Sequence, residues 1–408
     1  MLRAQTTVRM HSVQTLSQLE DRIRAATSEL IAQILTSEAD NYVREAQMHL
    51  DKNNRRLVRR NGVSRQRTVQ TSMGTICVRQ PRVDDRREGQ KFTSAILPPY
   101  IRRTNSVDGM IATLYLHGVS TVRMEPALRE MLGSGFDSMS PAVVSGIIEK
   151  WQDLYKTWSQ RPITKRYAYI WVDGIYTRVR TTGDKPCMLV VIGCDEHGTK
   201  ETLAILDGEY ESEISWTALL LDLKRRGLKA PRLAIGDGAL GFWVAVGKVF
   251  PSTIHQGCTI HATRNVLDKL PKKLHATAKE LLHEIFLAET REDAMQAFEV
   301  FRRTFIDKYP KAVASIENRV ERLLAFYAFP AAHWKSIRST NVIESMFATI
   351  RRRSRQTNGN GSREAALAMM FMLTQQAEKS WRKIDGFDHV ANVLHGLEYK
   401  DGVLKMAA

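Results

Sequence analysis

The chain has 408 residues, of which 43% are hydrophobic and 25% are charged, as is typical of a soluble globular protein with room for two or three domains. Lys and Arg number 60 against 44 Asp and Glu, so the formal net charge at pH 7 is +16. Such an excess of positive charge favours a polyanionic partner, and it favours nucleic acid over a membrane surface.

Nothing in the sequence resembles an export signal or a membrane span. Residues 1–35 lack the uninterrupted apolar stretch of an export signal. The longest apolar run, residues 365–373, is about half the length needed to cross a bilayer. The four cysteines, at positions 77, 187, 194 and 258, have no compact spacing. We therefore expect a cytoplasmic protein with reduced thiols.

The first 105 residues combine a predicted helix with a strongly basic segment. Residues 1–50 are expected to form a helical segment because Leu and Ile recur at helical spacing. Residues 51–105 carry 14 Lys and Arg against 4 Asp and Glu, and residues 68–83 alternate as in a small β-hairpin. A basic hairpin could lie along a phosphate backbone or enter a groove. The arginines expected to bind DNA here are Arg55, Arg56, Arg59, Arg60, Arg65 and Arg67.

Several short helices are predicted for residues 106–162, with breaks at Gly118, at residues 133–135 and at Ser140. Ser140 is a good N-cap, and Pro141 suits the first helical position. Two short helices joined by a tight Gly-containing turn fit a helix-turn-helix DNA-binding region whose second helix covers residues 141–158. A plain helical linker domain fits the same pattern equally well.

An α/β pattern begins at residue 163. Three β-like runs are followed by helix, strand, helix and strand, the order of a ribonuclease H-like domain. In sequence these elements are residues 167–180, 188–194, 202–206, 213–224, 232–238, 242–250 and 253–260. We expect a ribonuclease H-like catalytic domain formed by residues 163–263 and 332–384. Residues 264–331 are predicted to be an all-helical insertion, and residues 385–408 a C-terminal tail.

Three carboxylates stand out in this pattern, and each also has an ordinary explanation. Asp173 lies inside an apolar run, where an unpaired charge would cost several kcal/mol, although Asp-Gly is also a hairpin signal. Asp237 ends a predicted strand, where it could face a ligand crevice or simply make a turn. Glu344 occupies the capping-box position relative to Asn341. Helical geometry, however, also places a row of arginines near Glu344, namely Arg351, Arg352 and Arg355.

The case for function rests on the three carboxylates together. Two Mg²⁺ ions, or Mn²⁺, roughly 3.5–4 Å apart can activate an attacking oxygen and stabilise a leaving oxygen in phosphodiester chemistry. Such hard cations prefer oxygen ligands, so a few carboxylates from different elements suffice to hold them. One acid in the first strand, one after the fourth and one on a late helix would converge at one end of the sheet.

Several short motifs occur in a specific order along the chain. They are Asp173-Gly174-Ile175-Tyr176, Glu211-Ser212 with Trp216, residues 223–228, Gly236-Asp237-Gly238, Phe250-Pro251, Gln256-Gly257-Cys258-Thr259-Ile260-His261 with Arg264-Asn265, His333-Trp334, and residues 337–345 with the arginines that follow. In this order they resemble the bacterial Mutator-type (MULE-like) insertion-sequence transposases, over about residues 62–381.

The resemblance implies a DDE catalytic triad, which by motif is Asp173, Asp237 and Glu344, on a ribonuclease H-like fold with a helical insertion. It also implies Mg²⁺-dependent cleavage at the element's terminal inverted repeats, strand transfer of the 3′-hydroxyl into target DNA, and multimers assembled on DNA in the bacterial nucleoid. Besides the basic segment, the DNA contacts expected near the active site are Arg351, Arg352, Arg353 and Arg355.

Cys258 and His261 also match a motif of the resembled family. Two ligands are too few for a closed zinc site, so we expect this pair to pack and hydrogen-bond beside the second aspartate. Two other functions stay open from the residues: a metal-dependent nuclease without strand transfer, and a DNA-binding regulator whose acids are structural. The acids Asp184, Asp195, Glu196 and Asp207 fit solvated turns better than a catalytic site.

Overall fold

A computed structural model describes residues 2–133, 136, 139–179, 182–183, 185–208, 210–238 and 240–405, with side chains from residue 18 onward except that of residue 240. The chain divides into two compact units, Met1–Ile147 and Ile148–Ala408. Of the described helices, none is long and apolar enough to span a bilayer.

The first unit pairs one long helix with small antiparallel sheets. Its elements are α1 (Leu2–Glu45), β1 (Val58–Val63), β2 (Arg67–Thr71), β3 (Gly74–Val78), β4 (Pro81–Asp85), α2 (Asn105–Leu116), α3 (Thr121–Leu132) and the start of α4 (Pro141–Ser159). The predicted hairpin is confirmed as β2 and β3, and β1 pairs with β4. A small core including Leu35 of α1, Val69 and Ile76 holds these elements together.

The predicted N-terminal helix is correct in type and inaccurate in its limits, because α1 begins at Leu2 and ends at Glu45. The predicted breaks at Gly118 and Ser140 are confirmed, and α3 ends just before Gly133; residues 134 and 135 lie outside the described residues. The hydroxyl of Ser140 accepts the Ala142 N–H at 3.1 Å just before the first turn of α4. The helix-turn-helix assignment stays a prediction.

The second unit is built on a five-stranded sheet of order β7-β6-β5-β8-β9. Its strands are β5 (Tyr167–Tyr176), β6 (Cys187–Asp195), β7 (Lys200–Gly208), β8 (Leu233–Gly236) and β9 (Ile254–Gly257). Strands β5, β6 and β7 are antiparallel, whereas β5, β8 and β9 run parallel. The α/β class and the three initial strands are confirmed. The predicted fifth strand extends too far, because the chain turns into helix at Thr259, directly after Cys258.

In the described part of the chain, eleven helices follow or alternate with these strands. They are α5 (Glu213–Arg225), α6 (Leu240–Val249), α7 (Thr259–Leu267), α8 (His275–Leu287), α9 (Arg291–Phe305), α10 (Pro310–Glu317), α11 (Val320–Leu323), α12 (Trp334–Ile337), α13 (Asn341–Gln356), α14 (Arg363–Glu378) and α15 (Val390–Leu394). Of these, α5, α11, α13, α14 and α15 pack directly on the sheet. The predicted helical stretch after residue 264 is confirmed as α8–α11 with short 3₁₀ turns. Residues 385–405 are not a loose tail: Val390 and Val393 are buried, α15 packs on β5, and β10 (Tyr399–Lys400) pairs with β11 (Val403–Leu404).

Strand β5 sends alternate side chains to opposite faces of the sheet. Ile170 and Val172 join the core formed with α5 and α6. On the other face, the Tyr169 hydroxyl bonds His333 Nδ1 at 2.6 Å, and Trp171 Nε1 donates to the Ser336 carbonyl at 3.1 Å. By the same alternation Asp173 belongs to this second face, on which α13 also packs against β5.

Candidate active site

Asp173 and Asp237 lie at the same level on adjacent parallel strands. Trp171 of β5 is in register with Ile235 of β8, and the two aspartates follow these residues by two positions each. Asp173 is inside β5, paired with Val190 of β6, so its alternative interpretation as a hairpin turn is wrong. Asp237 follows directly after β8, and its carbonyl accepts the Trp243 Nε1–H at 3.1 Å. The sheet register therefore brings these two predicted site residues together.

The environment of Asp173 disfavours its negative charge. The residue is 9% exposed, and its carboxylate accepts the N–H of Gly174 at 2.9 Å. Burial, followed by repulsion from Asp237, raises the pKa of Asp173 to about 7. Glu211 adds to this repulsion, while His261 opposes it. A divalent cation bound between these two acids would offset both the burial of the charge and the repulsion between the carboxylates.

Glu344 lies in the first turn of α13. The N-cap of this helix is Thr340 rather than Asn341, so the capping-box interpretation is wrong. The Thr340 hydroxyl donates to Glu344 Oε1 at 3.4 Å, and His261 Nε2 lies 3.7 Å from the same oxygen. Glu344 is therefore linked to the aspartates through His261, whose charge both Asp173 and Asp237 favour.

Cys258 and His261 form a small buried polar cluster with Thr340. Cys258 Sγ accepts the Thr340 N–H at 3.4 Å and its hydroxyl at 3.3 Å. Burial opposes the thiolate, but hydrogen bonds from His261 and Thr340 outweigh it and lower the pKa of Cys258. The Cys258 hydrogen bond, with the nearby acids, raises the pKa of His261 to about 9. These contacts join the pair to Thr340, and its packing beside the second aspartate stays a prediction.

Cys258, His261 and Glu344 could also hold a metal ion. Their candidate ligand atoms lie within 4.8 Å of one another. Among the described residues, this is the group of at least three His, Cys, Asp or Glu side chains that lie this close together. Asp173 and Asp237 do not join Glu344 in such a group. Sequence spacing revealed two of these ligands but not the third, because Glu344 arrives from a distant helix.

Two further charged residues at this site were not predicted as site residues. Glu211 precedes α5, and its carboxylate lies against Gly174, beside Asp173. Burial and the charge of Asp237 raise the pKa of Glu211. Arg319, from the helical insertion, lies against Gly238 and interacts electrostatically with Asp237. The Glu211-Ser212 motif was visible in the sequence, but nothing local indicated that its acid reaches the first strand.

The arginines of α13 separate into two groups. Arg351, Arg352 and Arg355 are exposed, as expected for groups that bind phosphates. Arg353 is 3% exposed, and Nη1 of its guanidinium donates to the Thr357 hydroxyl. This burial contradicts the expectation that Arg353 contacts DNA, because a helix turns about 100° per residue and carries this side chain into the protein.

The six arginines predicted in the first unit are also used differently. Arg55, Arg56 and Arg65 are exposed, and no carboxylate of the described residues pairs with them. Arg59 contacts Asp84 at 3.2 Å, and Arg60 contacts Asp40 at 2.6 Å. Arg67 donates to the carbonyls of residues 98 and 101, at 3.2 Å each, so its guanidinium holds a loop. An open groove of about 1150 Å³ borders Arg65, Arg102 and Arg103.

The other acids have structural partners. Asp195 is the last residue of β6 and is buried, so the expectation of a solvated turn is wrong for it. Its carboxylate accepts the N–H groups of His197 and Thr199 and contacts Lys165 at 3.2 Å. Asp207 faces Arg363 at 3.6 Å, and Glu196 contacts His197 at 3.6 Å. Asp184 lies outside the described residues.

Comparison with known proteins agrees with the motif order. The model of the family described as "Transposase, Mutator family" matches residues 2–384. The chain is 45% identical over 296 residues to the transposase of insertion sequence IS6120 from Mycolicibacterium smegmatis, covering 72% of this chain and 91% of that protein. It is 42% identical to the transposase of IST2 from Acidithiobacillus ferrooxidans, covering 69% and 95%.

Among solved structures, a Drosophila P element transposase strand transfer complex aligns with 76% of this chain and 86% of its own at 9% identity. The TM-score of 0.29 is too low to assign a fold. The family match and the two close relatives are decisive: the chain belongs to the Mutator family of transposases and is a transposase of the insertion-sequence type.

Proposed function

We propose that this transposase belongs to the DDE class and that Asp173, Asp237 and Glu344 are its catalytic carboxylates, on a ribonuclease H-like domain. The observation that carries the proposal is the placement of two aspartates at one level of adjacent parallel strands, where each lies within the electrostatic field of the other. Glu344 supports it, because α13 packs on the same central strand and His261 links this acid to the pair.

The donor set fits Mg²⁺ or Mn²⁺. Asp173 and Asp237 offer oxygen ligands in a partly buried setting where like charges repel, and both ions prefer such ligands. We propose that two ions are held by Asp173, Asp237 and Glu344; when bound, they would supply a water of lowered pKa and stabilise the leaving oxygen. Cys258 is engaged by Thr340 and His261, which favours a structural role for that thiol.

Each protein group then has a task that follows from its surroundings. Burial of Asp173 excludes bulk water from one side of the site. Thr340 and His261 hold the Glu344 carboxylate in orientation, and Arg319 places a positive charge beside Asp237. In the proposed first step, water attacks the phosphodiester at an element end and a 3′-hydroxyl leaves. In the second, that hydroxyl attacks a target phosphodiester and displaces a target 3′-hydroxyl, so the number of phosphodiester bonds is conserved.

Double-stranded DNA is the proposed partner, both as the element's terminal inverted repeats and as the target. Arg351, Arg352 and Arg355 would hold phosphates near Glu344, and Arg55, Arg56 and Arg65 would do so in the first unit. We further propose that copies of the chain assemble on the two element ends and act in the cytoplasm, at the nucleoid.

The test uses the purified full chain and labelled duplexes taken from the DNA that flanks its own gene. We expect nicking with Mg²⁺ and none with EDTA, and we expect a pre-nicked end with a free 3′-hydroxyl to become joined to a target plasmid. Asp173→Asn should abolish both reactions while DNA binding is retained and the melting temperature is not lowered. Glu196→Gln, an exposed turn residue, is the matched control and should behave as wild type.

Two outcomes would overturn the proposal. Cleavage without any joined product would favour a metal-dependent nuclease. DNA binding without metal-dependent cleavage, together with unfolding of the Asp173→Asn variant, would favour a DNA-binding regulator whose acids are structural.

A further inference from the structure

Glu211 is wedged between the two segments that carry Asp173 and Asp237. Its carboxylate occupies the space beside Gly174, the residue after Asp173: a Cβ added at Gly174 would overlap the carboxylate and lie 2.7 Å from Glu211 Cδ. A Cβ added at Gly241, which follows Asp237 in the first turn of α6, would lie 2.9 Å from the Glu211 carbonyl oxygen and 2.8 Å from the Ser212 carbonyl carbon. Gly174 thus makes room for the Glu211 carboxylate, and Gly241 makes room for the backbone of residues 211–213.

The close fit at Gly174 has a physical consequence. Gly174 lies in a strand at negative φ, where any residue can adopt the backbone conformation, so its glycine is not needed for the chain to turn. The nearest atoms that a larger side chain would meet here belong to the Glu211 side chain, which would have to move aside. Gly241 lies in a helix, so its backbone conformation does not require glycine either. A side chain at this position would overlap the backbone of residues 211–213.

The charged neighbours of Glu211 include two other acids. Its charge interacts unfavourably with Asp237 and with Asp173. The Glu211 carboxylate accepts a hydrogen bond from the weakly polar thiol of Cys187, at 3.9 Å. Glu213, two residues on, is by contrast paired with Lys248 at the surface. Glu211 has no such surface ion pair among the described residues, although His261 favours its charge.

We propose that Glu211 is a positioning residue of the catalytic centre, a fourth carboxylate that fixes the Asp173–Gly174 segment and increases the affinity of the site for its divalent ions. This inference rests on the proposed DDE function. It predicts that Glu211 is dispensable for folding and necessary for metal binding, since its neighbours repel it until a cation is bound.

The experiment compares full-length variants by two measurements. The first is the melting temperature without metal, where Glu211→Gln should equal or exceed wild type because a repulsive charge has been removed. The second is Mn²⁺ binding, followed by the electron paramagnetic resonance signal of the free ion, for which Glu211→Gln should raise the dissociation constant about tenfold. If binding without DNA is too weak to titrate, the Mn²⁺ concentration that gives half-maximal cleavage should rise by the same factor.

Gly174→Ala tests the geometry, since the added methyl group displaces the Glu211 carboxylate and should weaken Mn²⁺ binding in the same direction. Two matched controls should equal wild type: Glu213→Gln for the acid, and Gly247→Ala for the glycine, since a Cβ at Gly247 meets nothing within 4 Å.

The outcomes separate this inference from the proposed function. A Glu211→Gln variant with lowered metal-free stability and unchanged Mn²⁺ affinity would overturn the inference and make Glu211 a structural residue. If Asp173→Asn loses Mn²⁺ binding in that same series, the proposed DDE function stands even though the inference about Glu211 fails. If neither Asp173→Asn nor Glu211→Gln alters Mn²⁺ binding or the metal dependence of cleavage, both proposals are wrong.

Discussion

Aspartates of the two units have opposite surroundings. In the first unit Asp85 accepts hydrogen bonds from Tyr42 at 2.6 Å and from Arg87 at 2.7 Å, and these contacts hold the pKa of its carboxyl well below its usual range. In the second unit, burial and the neighbouring Asp237 raise the pKa of Asp173 to about 7. The same side chain therefore stabilises the fold at one place and is held at a cost in free energy at the other, as expected of a functional site.

The contrast extends to neighbouring acids of each unit. Asp40, Asp84 and Asp108 contact Arg60, Arg59 and Arg103 respectively. Asp173 and Glu211, by contrast, have each other and Asp237 as charged neighbours, with His261 opposing them. An acid paired with an arginine stabilises the fold, whereas acids that lie close to one another are typical of a cation-binding site. Substitution of the first-unit acids should therefore lower stability, and substitution of the acids around Asp173 should lower activity.

The largest effect is expected for Asp237→Asn. Loss of a carboxylate that holds a catalytic cation should remove several kcal/mol of transition-state stabilisation, which slows DNA cleavage about 10²- to 10³-fold. The melting temperature should stay within a few degrees of wild type. Cleavage rates on a labelled element end measure the effect, with Glu196→Gln as a surface control. Comparable cleavage rates for Asp237→Asn and wild type would contradict the assignment of Asp237 as a cation-binding carboxylate.

Asp173→Asn should stabilise the second unit when metal is absent. Because the folded-state pKa is raised to about 7, the folded state binds a proton more tightly than the unfolded chain, and stability falls as pH rises from about 4 to 7. The neutral amide removes this loss, so at pH 8 the variant should be more stable by about 2–3 kcal/mol. All seven tryptophans lie beyond residue 150, so urea unfolding followed by tryptophan fluorescence reports this unit. Equal stability below about pH 4 and a gain at pH 8 is the expected pattern; a loss at both would contradict it.

Asp85→Asn should have the opposite effect in the first unit. The variant leaves Arg87 and Tyr42 without their anionic acceptor, which should cost about 1–2 kcal/mol of stability near neutral pH. Because the folded-state pKa is lowered, this contribution is present above about pH 5 and is lost as pH falls below about 4. Circular dichroism should detect the destabilised helix α1, while the tryptophan transition is unchanged. Wild-type stability in this variant would show that the ion pair is only a surface contact.

The smallest effect is expected among the arginines of α13. Arg352→Ala should weaken DNA binding a few-fold for all sequences alike and lower the salt slope by about one unit. Arg353→Ala should instead lower the melting temperature, because its guanidinium is buried and hydrogen-bonded to Thr357. Fluorescence anisotropy at several salt concentrations separates the two. An unchanged slope for Arg352→Ala would remove this arginine from the proposed interface.

Much of the molecule could be predicted from local pattern. Hydrophobic periodicity predicted the β2–β3 hairpin, the order of strands and helices from residue 167 to residue 250, and the helical stretch after residue 264. The predictions failed at boundaries, such as the end of β9 at Gly257, and in the last segment. In that segment, short elements such as α15 are stabilised by packing on β5. Elements this short show no hydrophobic periodicity in the sequence from which they could be predicted.

By itself, the sequence determined the family, the net positive charge and the three candidate acids, because motif order and composition are properties of the chain. Only the tertiary structure decided which groups are neighbours. The register of β5 with β8 aligns Asp173 with Asp237, packing of α13 brings Glu344 to His261, and Gly174 leaves room for the Glu211 carboxylate. One turn of α13 also buries Arg353 and exposes Arg352. Such proximities depend on sheet register and helix packing between residues far apart in the chain, and local spacing does not encode them.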